Sequence, residues 1–348
     1  MTAYNKNVDE YIREFKSCHT VNEIIRCLDD LRSLKVVVIG ETILDEYVYG
    51  DILGKSAKEP ILVLRHLSEE THAGGAAMVA NHLSSFCDQV ELVTYLGEEN
   101  SREDFIRSSL HETVKPFFIQ KSNSPTIVKR RFVDKYLVTK LLEVYEINDA
   151  PMAENEEEAL CAVLRERLAE CDVVIAADYG HGLLTPRVID FICQHARFLS
   201  VNTQINAANH GFHTLSRYPR ADYVCVHEGE VRLDQRDRTG QLDDLVKNVS
   251  ERMDCKSVLV TQGKFGTLLF RPDDGFTQCP ALAMKVTDRV GAGDSVLAVS
   301  SLCVQRNLPS DIVGFISNMV GAQAVTIVGN RDPIDRESLY QAIKEFLQ

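Results

Sequence analysis

Two features of the sequence predict an α/β protein on a mainly parallel sheet: short apolar, β-branched runs, and the amphipathic helical stretches that alternate with them. A third feature predicts a small β-sheet projecting from the main sheet as a lid: two segments carry strand signals with few helical ones. Val36-Val37-Val38-Ile39, Val173-Val174-Ile175-Ala176 and Val258-Leu259-Val260 are apolar throughout, as strands buried on both faces require. Helical patterns fall near 76–86, 102–111, 153–170, 186–196 and 240–252, then near 292–306, 311–326 and 335–347. This succession makes βαβ units with right-handed crossovers. The lid is expected over about 46–66 and 115–147, including Pro60-Ile61-Leu62-Val63-Leu64 and the strand-like run Thr126 to Val133. With no helix between them, such strands are expected to pair antiparallel. Residues 1–34 read as an N-terminal helical extension, and 35–348 as the main domain carrying the lid as an insertion. In the extension, Thr20-Val21-Asn22-Glu23 has the form of a capping box, and Ile24, Ile25, Leu28 and Leu31 share one face.

A length of 348 residues fits two domains, or one large α/β domain with an appendage. With 38 Lys+Arg against 51 Asp+Glu, the net charge of −13 argues against nucleic acid or an anionic membrane as partner. A small anionic substrate needs only a local basic cluster. The ten cysteines form no C-x-x-C pair, so zinc and redox motifs are excluded and buried thiols in a reducing compartment are expected. The first ten residues lack the form of a signal peptide, and no apolar run approaches the ~18 residues needed to cross a bilayer. The expected location is cytoplasmic.

One segment dominates the chemistry: Asp288-Arg289-Val290-Gly291-Ala292-Gly293-Asp294, ahead of a helical run starting at Ser295. Glycines just before a helix leave N–H groups exposed, and the helix N-terminus adds partial positive charge, which together suit a phosphate in transfer. Asp294 then stands where it could take a proton from an attacking hydroxyl, or where it simply caps the helix. Gly291-x-Gly293 is not a dinucleotide fingerprint, because Val296 stands at the third glycine position. Gly50 to Ser56 is not a P-loop, having three residues where four are required between its glycines. Gly74-Gly75-Ala76-Ala77-Met78-Val79-Ala80-Asn81 allows either close approach of backbone to a ligand or a plain turn.

The order of these pieces resembles the ribokinase-type (PfkB) family of carbohydrate kinases. The matching pieces are Gly40 with Asp45 beyond it, Gly74-Gly75, Asp178-Tyr179-Gly180-His181-Gly182, Thr261-Gln262-Gly263, and Gly291 to Asp294. Within that family the runs Leu44 to Asp51 and Asp178 to Thr185 are most similar to the heptose-7-phosphate kinase half of the ADP-heptose synthase system. The resemblance implies a three-layer α/β/α ribokinase-like fold, and transfer of the γ-phosphate from ATP, with Mg²⁺, to a sugar phosphate. The acceptor it implies is D-glycero-D-manno-heptose 7-phosphate at its anomeric hydroxyl. It implies Asp294 as general base beside the amides of Gly291, Ala292 and Gly293, with Asp45, Gly74, Gly75, Asn81 and Asp178 toward the sugar. Thr261, Gly263, Asp288 and Asn318 would line the nucleotide pocket, Glu230 would organise water around Mg²⁺, and the lid could pair two subunits into a homodimer.

Three positions depart from the family pattern: His227 in place of the asparagine of N-x-x-E, Met78 in place of a sugar-contacting asparagine, and Val290 in place of threonine. Lys129 and Arg131 alternate onto one face of a lid strand, either to meet the distal phosphate of the sugar or as a charged edge that discourages aggregation. Another acceptor, sugar or nucleoside, and a catalytically silent sugar- or nucleotide-binding homologue are the competing functions.

Overall fold

Helix α1 (Val8–Cys18) opens the computed structural model, which describes residues 8–329 and 331–348, and α2 (Val21–Asp29) follows. Both halves of the expected capping box form at α2: Thr20 Oγ1 accepts from Glu23 N, and Glu23 Oε2 from Thr20 N, each at 3.3 Å. Then come β1 (Lys35–Gly40), β2 (Thr42–Lys55), β3 (Leu62–Gly75), α3 (Ala76–Ser84), β4 (Gln89–Glu99), α4 (Glu103–Ser109) and β5 (Val114–Pro125). The lid hairpin β6 (Ile127–Asp134) and β7 (Thr139–Glu146) leads to α5 (Glu154–Leu168), β8 (Val173–Asp178), α6 (Pro186–His195) and β9 (Leu199–Thr203). Next are β10 (Tyr223–His227), α7 (Glu228–Asp234), α8 (Leu242–Arg252), β11 (Ser257–Thr261), β12 (Thr267–Arg271) and β13 (Gly275–Cys279). The chain closes with α9 (Ala292–Gln305), α10 (Ser310–Ala324) and α11 (Arg336–Leu347).

The main sheet has nine strands in the order β13-β12-β11-β10-β9-β8-β1-β4-β5. From β11 to β5 every pair is parallel, and β12 and β13 add an antiparallel edge. The all-apolar runs lie near its middle: all of β8 is buried, and so is β1 from Val36 onward. Helices α3, α9, α10 and α11 pack together against the sheet with α2, while α5 with α6 and α7 with α8 form a second group. This is the ribokinase-like α/β architecture.

The lid is a four-stranded sheet, β3-β2-β6-β7, and it differs from expectation in two respects. Residues 114–125 are not part of it: β5 pairs parallel with β4 in the main sheet, because α4 supplies the crossover and Phe117 and Ile119 turn toward the core. Nor is the lid wholly antiparallel. Hairpins β2–β3 and β6–β7 are, but β2 and β6 run parallel, since α3, β4, α4 and β5 intervene and bring the chain back to start again from the same end. Strand β3 also runs on to Gly75, carrying the di-glycine out of the lid and into the body.

The N-terminal helices are not a detachable accessory. Tyr11, Phe15, Ile24, Leu28 and Leu31 are buried in the same core as β1 and β8, and the ring of Phe15 stacks on Phe315 of α10 at 4.4 Å. Among the described residues, no helix is long and apolar enough to cross a membrane. Replacing Phe15 with Ala should lower stability by about 3 kcal/mol, the usual cost of emptying an aromatic site. Denaturant unfolding should keep one transition; a separate early transition would show that the extension folds apart from the core.

Candidate active site

Glu41 follows β1 directly and has no exposed surface. Its Oε1 accepts from His181 N at 3.0 Å and Leu183 N at 3.2 Å, and its Oε2 accepts from Tyr179 N at 3.0 Å. Its main-chain oxygen takes the Ala76 amide that opens α3, at 2.9 Å. One carboxylate thus ties the loop after β8 to the ends of β1 and β3. Burial, reinforced by Asp178, pushes the Glu41 carboxyl up, against amides that favour its ionised form. Loop 179–183 in turn aims Tyr179 across to α9, where its hydroxyl donates to Asp294 Oδ1 at 3.0 Å.

Helix α9 begins at Ala292 rather than Ser295, with Gly291 as its N-cap at φ 78°. Asp294 therefore lies within the first turn, whose N–H groups have no acceptor inside the helix. Ala292 N bonds Arg289 O at 3.4 Å, while among the described residues no acceptor is seen for the amides of Gly291, Gly293 and Asp294. A Cβ placed on Gly293 would meet nothing within 4 Å, so the space over that turn is open.

That space is a cavity of about 320 Å³ between the lid and the body. From the lid, Asp45, Lys129 and Arg131 line it; from the body come Gly75, Tyr179, and the turn Arg289 to Asp294. Gly74 stands behind Asp45, and any side chain there would collide, its Cβ falling 2.1 Å from Asp45 Oδ2. Gly75 adopts φ +59°, where a Cβ would meet Glu41 O at 2.4 Å. The di-glycine therefore serves close approach of the lid root to the body.

The charges in the cavity are unequal. Arg131 is neutralised: its guanidinium bonds Asp45 and, through Nε, Glu143 Oε1 at 2.7 Å, and it lies 5.3 Å from the ring of Tyr47. Lys129 is 7% exposed, its ammonium lies 5.2 Å from the ring of Tyr145, and among the described residues it forms no ion pair. Burial pulls its pKa down. Arg289 is exposed and, among the described residues, its guanidinium has no ion-pair partner. Asp294 is 6% exposed; burial drives its carboxyl up to about 7, with Asp45 adding to the rise and Tyr179 and Lys129 opposing it. A carboxylate near neutrality beside unpaired amides can accept a proton from a hydroxyl while an anion occupies the turn.

Several residues expected at the site lie elsewhere. Asn81 is a packing residue: its amide donates to Ser109 O, and its Oδ1 accepts from His111 N, both at 2.9 Å. Asp178 does end β8, but its carboxylate turns into the body, taking Tyr218 Oη at 2.8 Å, His213 Nε2 at 2.9 Å and Arg217 Nη1 at 3.2 Å. Asn318 donates to Thr267 Oγ1 at 2.7 Å and Gly314 O at 2.9 Å, tying α10 to β12. Asp288 accepts from Arg289 N, Val290 N and Lys140 Nζ and so shapes the turn instead of lining the cavity. Thr261 ends β11, and Gly263 follows it at φ +56°. The residues that sequence patterns missed are Glu41, Tyr179 and Arg289. Tyr179 and Arg289 lie within segments already singled out but were given no role there, whereas Glu41 carries only the weak signal of an acid placed directly after an all-apolar strand.

Glu230, expected to organise water around Mg²⁺, is bonded by main-chain amides. Glu230 Oε2 accepts from His227 N at 2.7 Å and Oε1 from Ile205 N at 3.2 Å, while burial pushes its carboxyl up to about 7. It fixes Ile205, a wall of the cavity. His227 acts as the N-cap of α7, its Nδ1 accepting from Gly229 N at 3.0 Å. Among the described residues, no group of three or more His, Cys, Asp or Glu could hold a metal ion.

The pfkB family carbohydrate kinase profile matches residues 33–337. The bifunctional protein HldE of Bradyrhizobium diazoefficiens is 27% identical over 300 residues, covering 84% of this chain and 60% of that protein. HldE of Campylobacter jejuni is 28% identical over 299 residues, covering 85% and 62%. The chain thus spans about 60% of the length of these curated relatives. Phosphofructokinase-2 of Escherichia coli, in complex with potassium, superposes with a TM-score of 0.73 at 15% identity, covering 90% of this chain and 99% of that one. Ribokinase of Thermotoga maritima gives a TM-score of 0.67 at 17% identity, with the same coverage.

An Asp294 carboxyl raised to about 7 makes the folded state bind a proton that the unfolded chain has already lost. Stability is therefore lost as pH rises from the ordinary carboxylate range through about 7. Asp294→Asn escapes this, so its Tm advantage over the parent should widen between pH 5 and pH 8 in thermal melts. A pH-independent difference would show that Asp294 is already ionised throughout.

Proposed function

Because the chain belongs to the pfkB family of carbohydrate kinases, we propose that it passes the γ-phosphate of ATP to the anomeric hydroxyl of a sugar phosphate. The acceptor we assign is D-glycero-D-manno-heptose 7-phosphate, giving the 1,7-bisphosphate. The observation that carries a phosphorylated acceptor is Lys129: a buried ammonium, lining the cavity, with no carboxylate in an ion pair with it among the described residues. Burying a cation is costly unless anions stand near it; Asp45, Glu143 and Glu41 act on Lys129 without forming an ion pair, which leaves its ammonium open to an anion on the ligand. The heptose assignment rests on the two runs that resemble the heptose-7-phosphate kinases and on HldE relatives that match most of this chain. The phosphate contact falls to Lys129, because Asp45 and Glu143 already satisfy Arg131.

In this reading the acceptor hydroxyl meets Asp294 Oδ2, since Tyr179 occupies Oδ1. As the oxygen attacks the γ-phosphorus, its proton passes to Asp294 and the bond from that phosphorus to the β–γ bridging oxygen breaks to release ADP, while the Gly293 and Asp294 amides with the α9 dipole stabilise the charge on the moving phosphoryl group. Asp45 orients the sugar, and the lid excludes water from the transfer. Mg²⁺ would enter on the nucleotide, held by phosphate oxygens and water, and would neutralise phosphate charge there.

Two further parts of the proposal concern setting. The outer lid exposes Leu53 at 60%, with Leu62, Leu67 and Leu142 also exposed, and a second copy covering that face would make a homodimer. Most of the cysteines are free and buried, which suits a reducing cytosol.

Steady-state kinetics on the heptose phosphate tests the assignment. Lys129→Met should raise KM for the sugar phosphate roughly ten- to a hundred-fold, the worth of one charged hydrogen bond, while KM for ATP stays within a factor of about two. Equal effects on both substrates would remove Lys129 from the acceptor site.

A further inference from the structure

The turn that presents the α9 amides is organised by a side chain that does not line the cavity. Asp288 Oδ1 accepts from Arg289 N at 2.7 Å and Val290 N at 3.2 Å, and Oδ2 accepts from Gly329 N at 3.2 Å. One carboxylate thereby joins the turn before α9 to the turn after α10. Its remaining partner comes from the lid: Lys140 Nζ, on the outer strand β7, lies 2.9 Å from Oδ1 and 3.1 Å from Oδ2. Against the push of burial, Lys140 and the two nearer amides hold the Asp288 carboxyl below its ordinary value.

The surroundings make this ion pair the point where lid and turn are indexed to each other. Between them lies a void of about 160 Å³, walled by Tyr47, Tyr49, Val133 and Val138, with Lys140 and Asp288 at its margin. Close packing does not fix the two bodies there. Tyr47 makes one tight approach, its ring lying 2.8 Å from where a Cβ on Gly329 would stand. Among the described residues, β7 pairs as a strand only with β6, with Lys140 opposite Val133.

We propose that the Lys140–Asp288 ion pair latches the lid to the turn ahead of α9, so that lid position and the placement of the phosphate-facing amides are set together. Lys140 is a positioning residue in this arrangement, touching neither substrate nor the reacting atoms. Its kinetic consequence rests on the kinase reading above: with the latch open, water reaches the transferring phosphoryl group and the acceptor is held less well.

Amide hydrogen exchange by mass spectrometry on the full chain, with Lys140→Met and Lys140→Arg beside the parent, tests the latch without relying on activity. Methionine keeps the aliphatic stem, and Asp288 retains its backbone partners, so the turn still forms. Exchange in Lys140→Met should quicken roughly two- to five-fold, the worth of a half-exposed ion pair, in β7 and in residues 289–293 together. Lys140→Arg should restore the parent pattern, and high salt should narrow the gap. Faster exchange in β7 alone, or in neither segment, would overturn the latch. A parallel assay follows ATP hydrolysis without acceptor, relative to sugar phosphorylation, and this ratio should rise in Lys140→Met. Coupled exchange with no turnover by the parent would leave the latch standing and remove the kinase reading; normal turnover with uncoupled exchange would do the reverse.

Discussion

The hydrogen bond from the buried hydroxyl of Tyr179 to Asp294 is the interaction on which the site depends. Burial alone would leave Asp294 protonated and inert as a base. The Tyr179 bond and the Lys129 charge oppose that tendency and bring the group close to neutrality, where a carboxylate is both available and basic enough to accept a proton. Tyr179 can do this because Glu41 grips its amide and those of His181 and Leu183. The apparatus runs from the end of β1 through a buried acid and the loop after β8 to the first turn of α9. It costs folding stability to hold two carboxylates away from water, a pattern typical of functional sites.

The lid divides its cations by partner. Arg130 lies across Glu46 and Glu146, Arg131 across Asp45 and Glu143, and Lys140 across Asp288, whereas Lys129 lines the cavity with no ion pair among the described residues. Arginine suits the paired sites, since its planar fork satisfies two carboxylates at once. A single compact ammonium suits contact with a mobile phosphate. Strand periodicity of two places Lys129 and Arg131 on the same face, while the neighbouring carboxylates give them different work.

Much of this was legible in the sequence, and the parts that were not share a cause. Apolar runs marked β1, β8 and β11 because strands buried on both faces leave no polar positions. The capping box marked α2 because both of its bonds are local, and alternation put Lys129 and Arg131 together. Failures came where the partner is distant in the chain. Nothing near β5 says that it joins β4 instead of the lid, and nothing in β6 says that it runs parallel to β2. Strand β9, with Ser200 and Asn202 among five residues, is too short and mixed to declare itself. Asn81, Asp178 and Asn318 looked like ligand residues by their place in motifs; each is instead consumed by backbone or side-chain groups far along the chain. Glu41 shows the converse, since its importance arises only when residues 179–183 fold over it.

The pH dependence of kcat in the parent and in Tyr179→Phe tests the central claim most directly. If Asp294 is the base and Tyr179 holds it ionised, the parent rate falls on the acid side with a midpoint near 7. The variant, lacking the donor, shifts that limb to higher pH while its alkaline plateau survives. An acid limb that stays in place, or a rate level across this range, would contradict the account.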